Sequence, residues 1–296
     1  MFSMKTLNSQ TRGQIINLLS EGMSLRAVAR ITGVARNTVD KLLRDVGAAC
    51  LEYQDEHLRN LPCKRVQCDE IWSFVYAKEK NVPKALQGVP GIGDIWTWTA
   101  IDPDTKLVPC WHVGNRRISD AKLFIGDLAG RLANRVQLST DGHKPYLTAI
   151  DQHFGDEIDY GVIVKLYGEE KENGKTTRSA YGAECIGVRK SVVSGSPDEC
   201  CISTSIVERQ NLTMRMSMRR FTRLTNAHSK KVENHMHAIS LHFMFYNFAR
   251  IHSTLRVTPA MAAGVSDHVW SVEEIAALAP IEAPKTRGPY RKRVQE

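Results

Sequence analysis

Between positions 64 and 166 the chain alternates two kinds of apolar pattern, in an order that few folds accommodate. Residues 64–76 (KRVQCDEIWSFVY), 93–102 (GDIWTWTAID) and 106–113 (KLVPCWHV) are rich in β-branched and aromatic side chains, the composition of strands. Turn signals at 88–93 and at Asp102-Pro-Asp-Thr105 separate them by little, which suits an antiparallel meander. The spacing then predicts a helix over 118–133 with Ala121, Phe124, Leu128 and Leu132 inward. A fourth strand over 135–140 runs into Asp141-Gly142-His143, followed by a helix over 144–153 and a fifth strand over 158–166.

Three strands, helix, strand, helix, strand, helix is the order of the ribonuclease-H-like fold. The expected class is therefore α/β, a mixed five-stranded sheet with helices, preceded by an all-α domain. In such a sheet the first and fourth strands are neighbours, so Asp69 and Asp141 would meet although they lie far apart in the chain. Strand alternation lets only one of Asp69 and Glu70 face that site. Asp141 has a competing role as the turn residue before Gly142, and His143 and Tyr146 suit DNA contact and plain packing equally well.

The last helix of that order falls on STSIVERQNLTMRMSMRRFTRLT. At helical spacing Glu208, Asn211, Arg215 and Arg219 share one arc, and Val207, Met214, Met218 and Phe221 share another. From Arg209 to Lys231 there are seven Lys or Arg residues (209, 215, 219, 220, 223, 230 and 231) and no acid, which leaves Glu208 alone among cations. An incidental surface ion pair would explain Glu208 blandly. A metal-dependent phosphodiester enzyme would explain both features, because the metal needs anionic oxygen and the DNA backbone needs cations. If Asp69, Asp141 and Glu208 converge, they suit two Mg²⁺ ions, with Mn²⁺ as a substitute, at the ~4 Å separation of two-metal sites.

Ahead of the sheet the sequence predicts three helices. The first contains Ile15, Ile16, Leu18 and Leu19, with Thr11 and Gln14 in capping-box spacing; Gly22 ends it, and Ser24 caps the second. The turn Thr32-Gly33-Val34 leads to a third over 35–44, which completes a helix-turn-helix in SLRAVARITGVARNTVDKLL. Arg36, Asn37, Lys41 and Arg44 on its exposed side suit base edges and phosphates in a major groove, although Ala35 is a poor N-cap. The domain expectation is 1–48 for this unit, a charged, mostly helical linker over 49–64, and a catalytic domain over 65–264. That domain carries an insert at 167–200, since 169–180 holds no large apolar side chain. A helix apolar over most of its circumference is expected from 229 to about 255, and a C-terminal helix and basic tail (Lys285, Arg287, Arg291, Lys292, Arg293) close the chain at 265–296.

Net charge +8 favours a polyanionic partner. No run of 18 apolar residues argues for a membrane span, and no secretory signal opens the chain. Seven cysteines without a C-x-x-C pair suit free thiols in a reducing cytoplasm, beside nucleoid DNA. Cys50, His57, Cys63 and Cys68 are too irregular for a zinc site, and His235, His237 and His242 read as core or surface histidines.

The segments SLRAVARITGVARNTV, QCDEIWSFVYAKEK, GDIWTWTAIDPDTKLVPCW, RVQLSTDGHKPY, STSIVERQNLTMRMSMRRFTRLTNAHSKKVENH and FMFYNFARIHSTLRVTPAMAAG resemble the DDE transposases of bacterial insertion sequences, specifically the family named for the first-numbered insertion sequence. The resemblance implies a ribonuclease-H-like domain with Asp69, Asp141 and Glu208 as metal ligands, and it favours Asp69 over Glu70. It further implies that Arg215, seven positions after the Glu, contacts DNA near the scissile phosphate, with Asn211 and His143 close by. Arg219, Arg220, Arg223, Lys230 and Lys231 would grip the backbone. The implied activity is cutting 3′ ends at terminal inverted repeats and joining them to target double-stranded DNA, by a homodimer or larger assembly. Two rivals share these features: a nuclease of the same fold that cuts without joining, and a catalytically inert helix-turn-helix regulator.

Overall fold

The computed structural model describes residues 7–167, 171–172, 175–176, 185–222 and 225–281. Three helices come first: α1 (Ser9–Ser20), α2 (Leu25–Thr32) and α3 (Arg36–His57). The sheet strands are β1 (Arg65–Val75), β2 (Gly93–Ile101), β3 (Trp111–Gly114), β4 (Gln137–Asp141) and β5 (Asp159–Tyr167), with α4 (Ile118–Ala129) and α5 (Pro145–Phe154) between the later ones. A short hairpin, β6 (Lys171–Glu172) and β7 (Lys175–Thr176), precedes β8 (Cys185–Ser194). Then follow α6 (Ser205–Ser217), α7 (Val232–Met244), α8 (Pro259–Ala262) and α9 (Val272–Ala277).

The sheet order is β3-β2-β1-β4-β5-β8. β1–β2, β2–β3 and β5–β8 are antiparallel, whereas β1–β4 and β4–β5 are parallel. Parallel neighbours need a crossover, and α4 and α5 provide the two. This is a mixed α/β sheet compatible with the ribonuclease-H-like fold, and it has six strands rather than five. The extra strand, β8, lies inside the stretch expected to be an insert. The shortage of apolar side chains ends at Ala180; beyond it Ile186 and Val188 return with strand alternation. β8 pairs along β5 from Tyr160↔Ser194 to Tyr167↔Cys185 and forms the sheet's edge.

The third strand starts later than expected. Lys106 adopts φ +63, and its N–H bonds back to Asp102 O at 2.8 Å, so 102–107 is a turn. Val108 is then paired by a side chain instead of a strand: its N–H donates to Asn247 Oδ1 and its carbonyl accepts from Asn247 Nδ2, both at 3.0 Å. α1 is capped by Asn8, whose side chain accepts from Thr11 N, so Thr11 is capped rather than capping. Ser24 caps α2 as expected, and Ala35 gives α3 no side-chain cap. The long helix expected from 229 breaks after Met244 into a single π turn over Phe245–Ala249.

The segment expected to link two domains is largely the second half of α3, which packs along α7. Gln54 Nε2 donates to Ser240 O at 3.1 Å, and a Cβ on Gly47 would stand 2.5 Å from His237 O, so the crossing needs glycine there. Tyr53 meets Phe248 and Trp270 edge-on. The turn after α1 is seated as well: Gly22, at φ +79, abuts Ser217 O at the end of α6. Ile15, Val39 and Leu43 thus share one continuous buried cluster with Trp98, Phe124, Tyr146, Phe243 and Phe248. No helix among the described residues is long and apolar enough to cross a membrane.

Candidate active site

β1 supplies two side chains at period 2 to the face that carries α6. Gln67 Oε1 accepts from the N–H groups of Ile206 (2.9 Å) and Val207 (3.2 Å). These are orphan donors of the first turn of α6, whose N-cap residue, Thr204, makes no side-chain cap bond. Two positions on, Asp69 Oδ2 accepts from Asn211 Nδ2 at 2.8 Å. β1 therefore sets both the start of α6 and the contact one turn into it.

The β1–β4 ladder runs from Arg65↔Gln137 to Gln67↔Ser139. Carried two residues further, the same register places Asp69 level with Asp141, which ends β4. Carboxylate oxygens of Asp69, Glu70 and Asp141 all lie within 4.8 Å of one another. Alternation was expected to send Glu70 away from this group. It does leave the α6 face, but the ladder ends before residue 69, and its side chain still reaches the mouth between the two strands. Glu70 is almost fully buried there and bonds Arg116 Nε at 3.1 Å. Arg116 also approaches Asp141 Oδ2 at 3.7 Å and lies over the Trp96 ring at 4.9 Å.

Burial pushes the Asp69 carboxyl up to about 6, helped by the charges of Asp141 and Glu208 and opposed by the Glu70 N–H and the Asn211 amide. Burial, followed by Asp141, raises Glu70 to about 7 against the pull of Arg116. Asp141 Oδ1 accepts from His143 N at 2.9 Å, the turn role foreseen for it. The His143 ring packs against Trp98 and Tyr146, and burial lowers its pKa.

Glu208 stands outside the 4.8 Å group. Its Oε1 takes bonds from Lys165 Nζ on β5 at 2.6 Å and from Thr204 Oγ1 at 2.7 Å. It is close enough to raise the Asp69 pKa, so the three expected acids share one region, although only two are in mutual contact. The donor set is all oxygen, as hard cations require. Asn211 Oδ1 is buried and accepts no hydrogen bond, so it has lone pairs to offer. Ligands across an octahedral Mg²⁺ stand about 4 Å apart, near the spacing the acids already have. The residues present fit a divalent cation.

Among the expected DNA contacts, Arg36, Asn37, Lys41 and Arg44 are exposed on the first three turns of α3. Lys41 pairs with Asp45 at 2.6 Å and Arg44 with Asp40 at 3.5 Å. Arg215 lies on α6 as expected, whereas Arg219 does not: α6 ends at Ser217, and Arg219 is exposed on a separate turn over Arg219–Phe221. Lys230 and Lys231 are exposed just before α7. Arg220 is a correction. Its Nη1 donates to Ser229 Oγ (2.6 Å) and Asn234 O (3.1 Å), and burial lowers its pKa to about 10, so it braces the chain rather than facing a phosphate. Arg223 and the basic tail lie outside the described residues. Sequence reasoning missed Gln67, Arg116 and Lys165. Gln67 carried a faint signal, being on the Asp69 face two positions earlier.

Residues 6–50 match the model of the homeodomain-like domain family. That span is α1, α2 and the first two-thirds of α3, a helix-turn-helix unit of the kind that binds DNA. A comparison with curated protein sequences finds no match.

Proposed function

We propose that the chain is a divalent-metal-dependent DNA transposase. Its α3 reads terminal inverted repeats, and its carboxylates cut and rejoin the element's 3′ ends. The observation that carries this reading is the meeting of Asp69, midway along β1, with Asp141 at the end of β4, beneath a helix bearing Glu208. A helix-turn-helix sharing one core with such a site argues for chemistry on DNA rather than recognition alone.

Asp69 and Asp141 would hold the metal, with Glu70 beside them and Glu208 joining once it leaves Lys165. Bound Mg²⁺ supplies Lewis-acid activation of the attacking oxygen and stabilises the departing one. The protein's own part is positional. Asn211 holds the Asp69 carboxylate, His143 N–H holds Asp141, and Arg116 keeps Glu70 and Asp141 from repelling each other. Arg215, Arg219, Lys230 and Lys231 attract the phosphates, and two copies of the chain would bring two element ends together.

The test is an end-processing and strand-transfer assay with Mg²⁺. Asp69→Asn, Asp141→Asn and Glu208→Gln should each abolish cut and joined products while end binding survives. Joined products from any of the three would refute the proposal. Cutting without joining by the unaltered protein would favour the nuclease, and no cleavage at all the regulator.

A further inference from the structure

α6 has a second polar flank. Ile206, Arg209, Gln210 and Thr213 form an i, i+3, i+4, i+7 stripe, roughly opposite the arc of Glu208, Asn211 and Arg215. A groove of about 420 Å³ lies between this stripe, the turn at Lys106 and the segment 250–254 that leaves the π turn. It does not include the carboxylate group.

Its chemistry is one-sided. Lys106, Arg209, Arg250 and His252 all line it, and no acid does. Arg209 and Arg250 are exposed and not ion-paired among the described residues. The cations crowd one another: after burial, the charges of Lys106 and Arg250 depress the His252 imidazole. Surface cations normally sit beside acids, so an acid-free cluster in a concavity lacks the anion that would balance it. Gln210 supplies an independent sign. It lines the groove, is 3% exposed, and its Nε2 donor is buried with no hydrogen-bond partner. Such a donor is costly to leave unmade, and a rotation that turns the buried amide into the groove would let a phosphate oxygen accept from it. The positions are held firmly. Tyr246 Oη donates to the carbonyl of Lys106 at 3.1 Å, which fixes that residue in its left-handed conformation.

We propose that this groove is a second DNA-backbone site, binding phosphates of a duplex segment on the far side of α6 from the carboxylates. It goes beyond the active-site reading and does not depend on metal chemistry. One helix would then touch DNA on two flanks, with Glu208 and Arg215 on one and Arg209 and Gln210 on the other. The apolar floor of Ile101, Ile206 and Tyr246 is suited to sugar faces rather than base edges, so contact there would be indifferent to sequence.

The experiment measures binding of the full chain to a duplex of arbitrary sequence, in EDTA, across a salt series. For Arg209→Gln/Arg250→Gln, the slope of log K against log salt should fall in magnitude by about 1.8, from two phosphate contacts at ~0.9 each. Thr254→Glu, which adds an acid to the same groove without removing a cation, should weaken binding in the same direction; its slope decides the matter if the double variant melts early. An unchanged slope in a folded variant overturns the proposal. So does thymidine monophosphate binding that the double variant loses while its duplex slope is unchanged, which would make the groove a free-nucleotide site. Because EDTA suppresses catalysis, failure of strand transfer in Mg²⁺ would leave this result standing, and the reverse also holds.

Discussion

Replacing Gln67 by Met removes one acceptor and little volume. Two N–H groups lose their partner: Val207 N, which is buried, and Ile206 N, which is partly reached by water. A buried donor left unsatisfied costs about 1–3 kcal/mol, and loss of an ordinary N-cap about 1, so the sum is about 2–4 kcal/mol. At roughly 2–4 °C per kcal/mol, a chain of this size should melt about 4–16 °C lower. The second consequence concerns the site. With the first turn of α6 no longer tied to β1, Asn211 and Glu208 lose their register against Asp69. Mg²⁺ affinity should then fall by roughly tenfold, about 1.4 kcal/mol. Thermal unfolding without metal and calorimetric Mg²⁺ titration read the two effects separately. A variant that melts within a degree of the parent would show that Gln67 does not cap α6. Normal melting with weakened metal binding would equally break the argument, because both effects are assigned to the same two bonds.

Lys165→Met should tighten Mg²⁺ binding by about 1.4- to fivefold, since Glu208 no longer has to leave a cation worth ~0.2–1 kcal/mol at a partly exposed pair; calorimetry showing weaker binding would make Lys165 a helper instead. Two buried histidines weaken the fold as the pH falls. His235 is held neutral by burial, its pKa lowered to about 3, and His242 likewise to about 4. Below about 6.5 the unfolded chain takes up these protons and the folded chain does not, so stability falls with pH, by about 2 kcal/mol per histidine between pH 8 and pH 5. Asp69 and Glu70, raised to about 6 and about 7, take up protons in the folded state over the same range and offset this loss, so the reading is the difference between parent and variant. Urea unfolding at pH 8 and pH 5 should show His242→Gln losing about 2 kcal/mol less than the parent over that interval; equal changes would mean that the His242 ring protonates in place.

Most of the sheet was legible because its signals are local. The β-branched runs, the turns and the crossover helices all declare themselves within a dozen residues, and strand order brings the Asp69-Glu70 pair to Asp141, with the resemblance favouring Asp69. What stayed hidden depends on long-range geometry. Arg116 sits in an unremarkable run of polar residues, and only the fold brings it against Glu70. Alternation does send Glu70 to the opposite face from Asp69, yet it still reaches the group, because the β1–β4 ladder stops at Gln67↔Ser139. Arg220 looked like its neighbours in a basic run, yet its guanidinium is claimed by Ser229 and Asn234. The short β3 shows the same limit, since Asn247, 139 positions away, replaces the missing strand partner of Val108.

The way α3 is shared bears on how recognition and chemistry connect. Its first turns expose Arg36 and Lys41, and its last turns bond to α7 through Gln54. Twenty-two helical residues span roughly 33 Å without a break. A flexible linker would let the reading head wander relative to the carboxylates; a continuous helix buried at one end does not. Gly22 against Ser217 adds a second tie, directly onto the helix that carries Glu208. In the proposed reaction, the distance along the DNA from the bases read to the phosphate attacked would thereby be set by packing at Gly47, Gln54 and Gly22. None of these three touches DNA or metal in the proposed reaction, so side chains that enlarge them should shift the position of the cut rather than only slow it.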